Sequence, residues 1–191
     1  MRNSTPFQLV QSVNALDQNY LRNLAEQVFM SQTFMFTENM NDVHAIPVGV
    51  FSPGLVHDFN YTLRQYFPAT PYKHTRIRLG RRFPLHRMEC KENCLLLTVV
   101  LNTSILGHTL YALDPLKASC VGEYDADAVT LGIGDAFIHD HSMWMNILAE
   151  SLDNDYIVML QAEATYSSPE ERERLLQDAL EARQKVLSQV H

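Results

Sequence analysis

Between Tyr72 and Ala164 the chain passes again and again from short apolar or alternating runs into pieces containing Gly, Asp, Asn or Pro. YKHTRIRL alternates strictly, with His74, Arg76 and Arg78 on one side and Thr75, Ile77 and Leu79 on the other, the two-residue period of a half-buried strand. CLLLTVVLN, HTLYALD, SCVGEY, AVTLGI, DAFIHD and DYIVMLQAEA follow as further strand candidates. Seven or so strands in about ninety residues predict an antiparallel sandwich or barrel and argue against βαβ units.

Helices are predicted on both sides of this block. In ALDQNYLRNLAEQVFM, Leu16, Tyr20, Leu24 and Val28 recur every four residues and form one stripe, with Asn14 as the expected cap. SPGLVHDFNYTLRQYF begins with Ser52 as N-cap and Pro53 in the first turn, and Pro68 and Pro71 stop it. SSPEERERLLQDALEARQKVLSQVH opens with Ser168 and Glu171 as a capping box. Its broad apolar side, from Leu175 to Val190, either covers the barrel or pairs with a second copy in a homodimer. No repeat or long linker divides the 191 residues, so one domain is expected. It comprises a helical region over 1–71, a β core over 72–164 and a C-terminal helix over 168–190.

With 46% apolar residues a full core is available, so neither a metal nor a disulfide is needed to fold. A net charge of −7 argues against general affinity for nucleic acid or an anionic membrane. CLLLTVVL, the longest strongly apolar stretch, suits a buried strand and is too short to span a bilayer. Cys90, Cys94 and Cys120 are odd in number and MRNSTPFQLV does not read as a signal peptide, so a reducing cytoplasm is expected. No G-x-S-x-G, P-loop or G-x-G-x-x-G occurs, which leaves hydrolase and nucleotide-binding readings without support.

Two segments carry the remaining chemistry. RLGRRFPLHRM, residues 78–88, resembles the G-x-x-F-x-x-H-x-D segment of the iron(II)/2-oxoglutarate oxygenases, with Gly80, Phe83 and His86 in register. GDAFIHDHSMWMNI resembles the G-x-x-x-x-F-D-D-S-F-x-H-x-V segment of their aspartyl/asparaginyl β-hydroxylase branch, with Gly134, Asp140, Ser142 and Ile147 in register. The resemblance implies a double-stranded β-helix (jelly-roll, cupin-like barrel) flanked by helices. It also implies iron(II) and 2-oxoglutarate as cofactors and a small amino-acid-like or peptidyl substrate. It assigns His86 as first metal ligand. The carboxylate position two residues on holds Met88, the second-histidine position holds Met145, and DYIVMLQAEA has no Arg for the cosubstrate.

The neighbouring residues offer a rearranged site. His139 and His141 lie two apart on a continuing strand, as in the H-x-H pair of cupins, and with His86 give a candidate catalytic and metal set, helped by Glu89 or Asp140. A core imidazole bonded to Asp140 or to a backbone carbonyl is the structural alternative for His139. Arg76 and Arg78 are candidate anion anchors, since guanidinium groups on an inner barrel face are costly without an anion. Trp144, Met143 and Met145 are candidate lining for an apolar pocket. The leading expectation is an oxygenase-fold enzyme with a rearranged metal site, or one doing metal-independent chemistry with a histidine as acid or base. The alternatives are a catalytically degenerate barrel serving as a ligand-binding or protein-interaction module, and a structural β-sandwich.

Overall fold

The structure is a computed structural model that describes residues 7–11, 16–31, 43–81, 83–87, 93–103, 107–113, 126–140, 144–149 and 156–189. Strand β1 (Phe7–Gln11) precedes helix α1 (Gln18–Ser31), and β2 (His44–Pro47) runs through a short 3-10 turn into α2 (Pro53–Tyr66). The alternating segment at Arg76 is β3 (Lys73–Gly80). Then come β4 (Phe83–Arg87), β5 (Cys94–Asn102), β6 (His108–Leu113), β7 (Ala126–Leu131), β8 (Asp135–Asp140), β9 (Trp144–Ala149) and β10 (Ile157–Thr165). Helix α3 (Pro169–Gln189) closes the chain.

The strands form two antiparallel sheets, one in the order β1-β8-β5-β10-β3-β2 and the other β4-β9-β6-β7. From β3 to β10 the chain crosses repeatedly between the two sheets. That is the double-stranded β-helix, the barrel type expected from the sequence. The eight strands β3 to β10 make the barrel, while β1 and β2 extend the larger sheet at its two edges.

Alternation within the larger sheet sorts side chains into two layers. Leu95, Leu97, Val99 and Leu101 of β5 and Val158, Leu160, Ala162 and Ala164 of β10 pack with Leu21, Leu24 and Val28 of α1, Phe59 and Leu63 of α2 and Leu175, Leu176 and Ala179 of α3. The opposite faces look between the sheets, where Leu96, Val100, Phe137, Ile157 and Met159 meet Phe83, Leu110, Met145 and Ile147. Beginning at Leu175, α3 thus covers the barrel. No helix among the described residues is long and apolar enough to cross a membrane.

Local signals explain most boundaries. Ser52 Oγ accepts from Leu55 N at 3.4 Å with Pro53 in the first turn, as the sequence predicts. Asp17 caps α1, its Oδ1 accepting from Asn19 N at 2.7 Å; Asn14, the expected cap, lies outside the described residues. At α3 Ser168 Oγ accepts from Glu171 N at 3.2 Å, but the Glu171 carboxylate turns to the backbone N and hydroxyl of Ser167, at 2.7 and 2.6 Å. The box is therefore shifted by one residue on its acidic side. Ser168→Ala is expected to cost about 1 kcal/mol, read as a lower urea midpoint at unchanged slope.

Region 1–71 also supplies β1 and β2, which the helical reading of that region omits. FPLHR and WMNILA form β4 and β9, two strands missing from the predicted set, and SCVGEY lies outside the described residues. WMNILA carries no period-two signal because its outward residues Trp144 and Leu148 are as apolar as the inward Met145 and Ile147.

Candidate functional site

Three rows of side chains cross the inner face of the larger sheet, each fixed by the strand register. The first joins Arg78 on β3, Met159 on β10 and Val100 on β5. Arg76, Gln161, Thr98 and Phe137 make the second. Glu163, Leu96 and His139 make the third, nearest the end where β8 gives way to β9 and β4 to β5.

The second row is a continuous polar chain inside the barrel. Arg76 Nε donates to Gln161 Oε1 at 2.9 Å, and Gln161 Nε2 donates to Thr98 Oγ1 at 3.1 Å. Arg76 Nη2 also lies 3.2 Å from Glu163 Oε1. Thr98, Gln161 and Glu163 are all buried, so these contacts replace water that the groups have lost. Arg78 lies over the Phe83 ring, 5.7 Å from its centre. Burial first, and then the like charge of Arg76, push the Arg78 guanidinium down to about 10. Both influences oppose its charge, and an anion brought beside it would offset them.

His139 is fully buried, with its ring stacked on Phe137 and Nδ1 3.1 Å from the Asp140 carbonyl oxygen. A carbonyl only accepts, so Nδ1 carries the proton and Nε2 is the basic atom of the neutral ring. This is the backbone-bonded imidazole considered as the structural alternative. The Asp140 side chain points the other way and accepts from Arg172 Nε of α3 at 3.1 Å. Its expected help to a metal is therefore corrected: alternation sends it to the helix face, opposite His139.

His74 is likewise corrected. It is exposed at φ 51°, where the β3–β10 register slips between Gln161 and Glu163, so it leaves the inner row that holds Arg76 and Arg78. Trp144 is 40% exposed and Met145 only 2%, because neighbours on β9 face opposite ways. Met145 is packed in the apolar interior between the sheets, whereas Trp144 stands on the outside of the smaller sheet. His141, Met88, Glu89 and Met143 lie outside the described residues.

The β4–β9 ladder sets His86 directly across from Met145. Met145 is thus the cross-strand neighbour of the proposed first ligand, the position the resemblance gives to the second histidine. Its thioether is packed with apolar side chains and is a poor donor for an iron(II) centre that prefers nitrogen and oxygen. On β10 the inward residues are Met159, Gln161 and Glu163, with no cation for a cosubstrate carboxylate, although Arg78 stands across from Met159 on the next strand. Among the described residues no group of three His, Cys, Asp or Glu side chains is placed to hold a metal. Among the described residues, the donors alone do not make up the ordinary iron(II)/2-oxoglutarate centre.

Gln161, Glu163 and Thr98 were not singled out from the sequence. The signal was there: in MLQAEA the polar residues Gln161 and Glu163 share the parity of Met159, and inside an otherwise apolar strand such a pair marks an inner polar row.

No family profile and no curated protein matches the chain. Solved structures do match. HygX from Streptomyces hygroscopicus, with nickel and 2-oxoglutarate bound, aligns over 85% of this chain and 84% of its own at TM-score 0.57 and 8% identity. The non-heme alpha ketoglutarate dependent epimerase SnoN from nogalamycin biosynthesis aligns over 84% and 78% at TM-score 0.55 and 13% identity. A Pseudomonas putida prolyl-4-hydroxylase aligns over 86% and 95% at TM-score 0.52 and 9% identity. At such identities the likeness is one of architecture, and it agrees with the sheet order: the chain has the double-stranded β-helix fold of the non-heme 2-oxoglutarate-dependent oxygenases.

Proposed function

We propose that this chain is an enzyme of oxygenase ancestry, from the aspartyl/asparaginyl β-hydroxylase-like branch, that holds a small amino-acid-like carboxylate against Arg76 and Arg78 inside the barrel. Its chemistry on that ligand is proton transfer at a histidine and not oxidation at an iron(II) centre. The observation that carries the reading is the inner placement of Arg78, where burial and a second arginine both disfavour its charge. A carboxylate there gains a charge-assisted, two-pronged contact in a setting where such contacts are stronger than in water. His139, in contact through Nδ1 with the Asp140 carbonyl oxygen, stands on the same inner face as the candidate acid or base. The thioether across from His86 supports chemistry that does not pass through the relatives' metal.

The test uses chelator-treated protein and thermal melting in 2-oxoglutarate, glutarate or L-glutamate without added metal. A ligand at a hundred times its Kd is expected to stabilise by about 2.7 kcal/mol, a rise of several degrees. The rise is expected to vanish in Arg78→Met. If no small carboxylate moves the melting temperature, the reading is wrong. A second reading, a non-catalytic barrel that docks a partner protein, draws support from Trp144 and Leu148, both about two-fifths exposed on the outer face of β9.

A further inference from the structure

We infer that Glu163 is an ammonium-binding residue and that the barrel's ligand carries an α-amino acid head group, with its carboxylate on Arg76 and its amine on Glu163. The inference rests on the reading of the barrel as a carboxylate site and adds the second charge of the ligand.

Three observations lead to it. Glu163 lies on the inner face of β10, in one row with Leu96 and His139, and is 7% exposed. Its Oε1 lies 3.2 Å from Arg76 Nη2, and a carboxylate has a second oxygen able to accept. Arg76 is itself held through Nε by Gln161, which is fixed by Thr98, so the guanidinium and the carboxylate are set side by side by three strands. Arg76 Nε is hydrogen-bonded to Gln161, while Nη2 lies beside the Glu163 carboxylate without a hydrogen bond to it.

A buried ion pair is weak grounds for stability, because desolvation offsets most of the attraction. As a recognition element the same pair has a definite meaning. Adjacent positive and negative groups held at contact distance are the mirror image of a zwitterion, whose carboxylate and ammonium are also adjacent. An oxo acid of the same carbon frame satisfies the arginine and leaves its carbonyl oxygen facing a carboxylate, an unfavourable pairing of two acceptors.

The experiment compares L-glutamate, 2-oxoglutarate and glutarate by calorimetric titration of the chelator-treated full chain, with N-acetyl-L-glutamate as a fourth probe that keeps the frame and removes the amine charge. L-Glutamate is expected to bind about tenfold more tightly than the other three, the scale of one charge-assisted hydrogen bond. In Glu163→Gln that preference is expected to disappear. Equal or weaker binding of L-glutamate than glutarate by the unaltered protein overturns the inference and leaves the carboxylate site standing. Absence of binding by all four overturns both. Because the probe comparison is made on the unaltered chain, it decides the matter even if the variant folds poorly.

Discussion

Met145→His is expected to give the barrel a divalent-metal site that binds nickel or manganese at least tenfold more tightly than the unaltered chain does. The ladder places residue 145 directly across from His86 in the backbone pairing. Position 145 is also inward and 98% covered, so an imidazole there faces the barrel interior and not solvent. Exchanging a thioether for an imidazole changes the donor from one that suits soft ions to one that suits first-row divalent ions. Without metal the variant is expected to lose about 1–3 kcal/mol, since a polar ring replaces an apolar thioether chain among Phe83, Ala112 and Ile147. With metal at a hundred times its Kd, about 2.7 kcal/mol returns. Melting curves with and without nickel measure both effects, and a further His86→Ala change should erase the metal response. If the variant and the unaltered chain respond alike to the metal, the thioether at position 145 is not what limits metal binding beside His86.

How this position could be read from the sequence shows where such reading works. The motif spacing from Gly134 assigns residue 145 to the second-histidine position, and the fold then sets that residue opposite His86 by backbone pairing alone. Spacing within one strand is legible because side-chain alternation is rigid. The inward turn of Arg76 and Arg78 was legible for the same reason, since Ile77 and Leu79 had to take the other, apolar side. His74 broke the rule because a slip in pairing with β10 depends on a partner strand some ninety residues later, which alternation within β3 cannot report.

The relation between His139 and Asp140 was also hidden. Adjacent in sequence, they look like a bonded pair, yet the strand sends them to opposite layers, and the Asp140 carboxylate answers to Arg172 on a helix thirty-odd residues on. The polar row on β10 needed three strands to acquire meaning. Gln161 and Glu163 are unremarkable alone and become a site only when β3 brings Arg76 and β5 brings Thr98 alongside.

Arg78→Met is expected to make the protein more stable and to abolish its binding of small carboxylates. In the folded chain the guanidinium is pushed down to about 10 by burial and by Arg76, while in the unfolded chain it keeps the ordinary, higher arginine value. Between those two values the unfolded chain holds more protons at this site, so stability rises with pH across that window. Below about pH 10 both states are charged and the whole cost of keeping the charge inside is present. A neutral side chain of similar length removes that cost. It also fits the surroundings, with Met159 across the ladder and the Phe83 ring beneath. A gain of about 1–3 kcal/mol at pH 7 is expected, shrinking as the pH is raised above 10, and urea midpoints along a pH series measure it. Arg78→Met that destabilises by more than about 1 kcal/mol, or that still binds 2-oxoglutarate, glutarate or L-glutamate as before, would show that this arginine serves packing and not recognition.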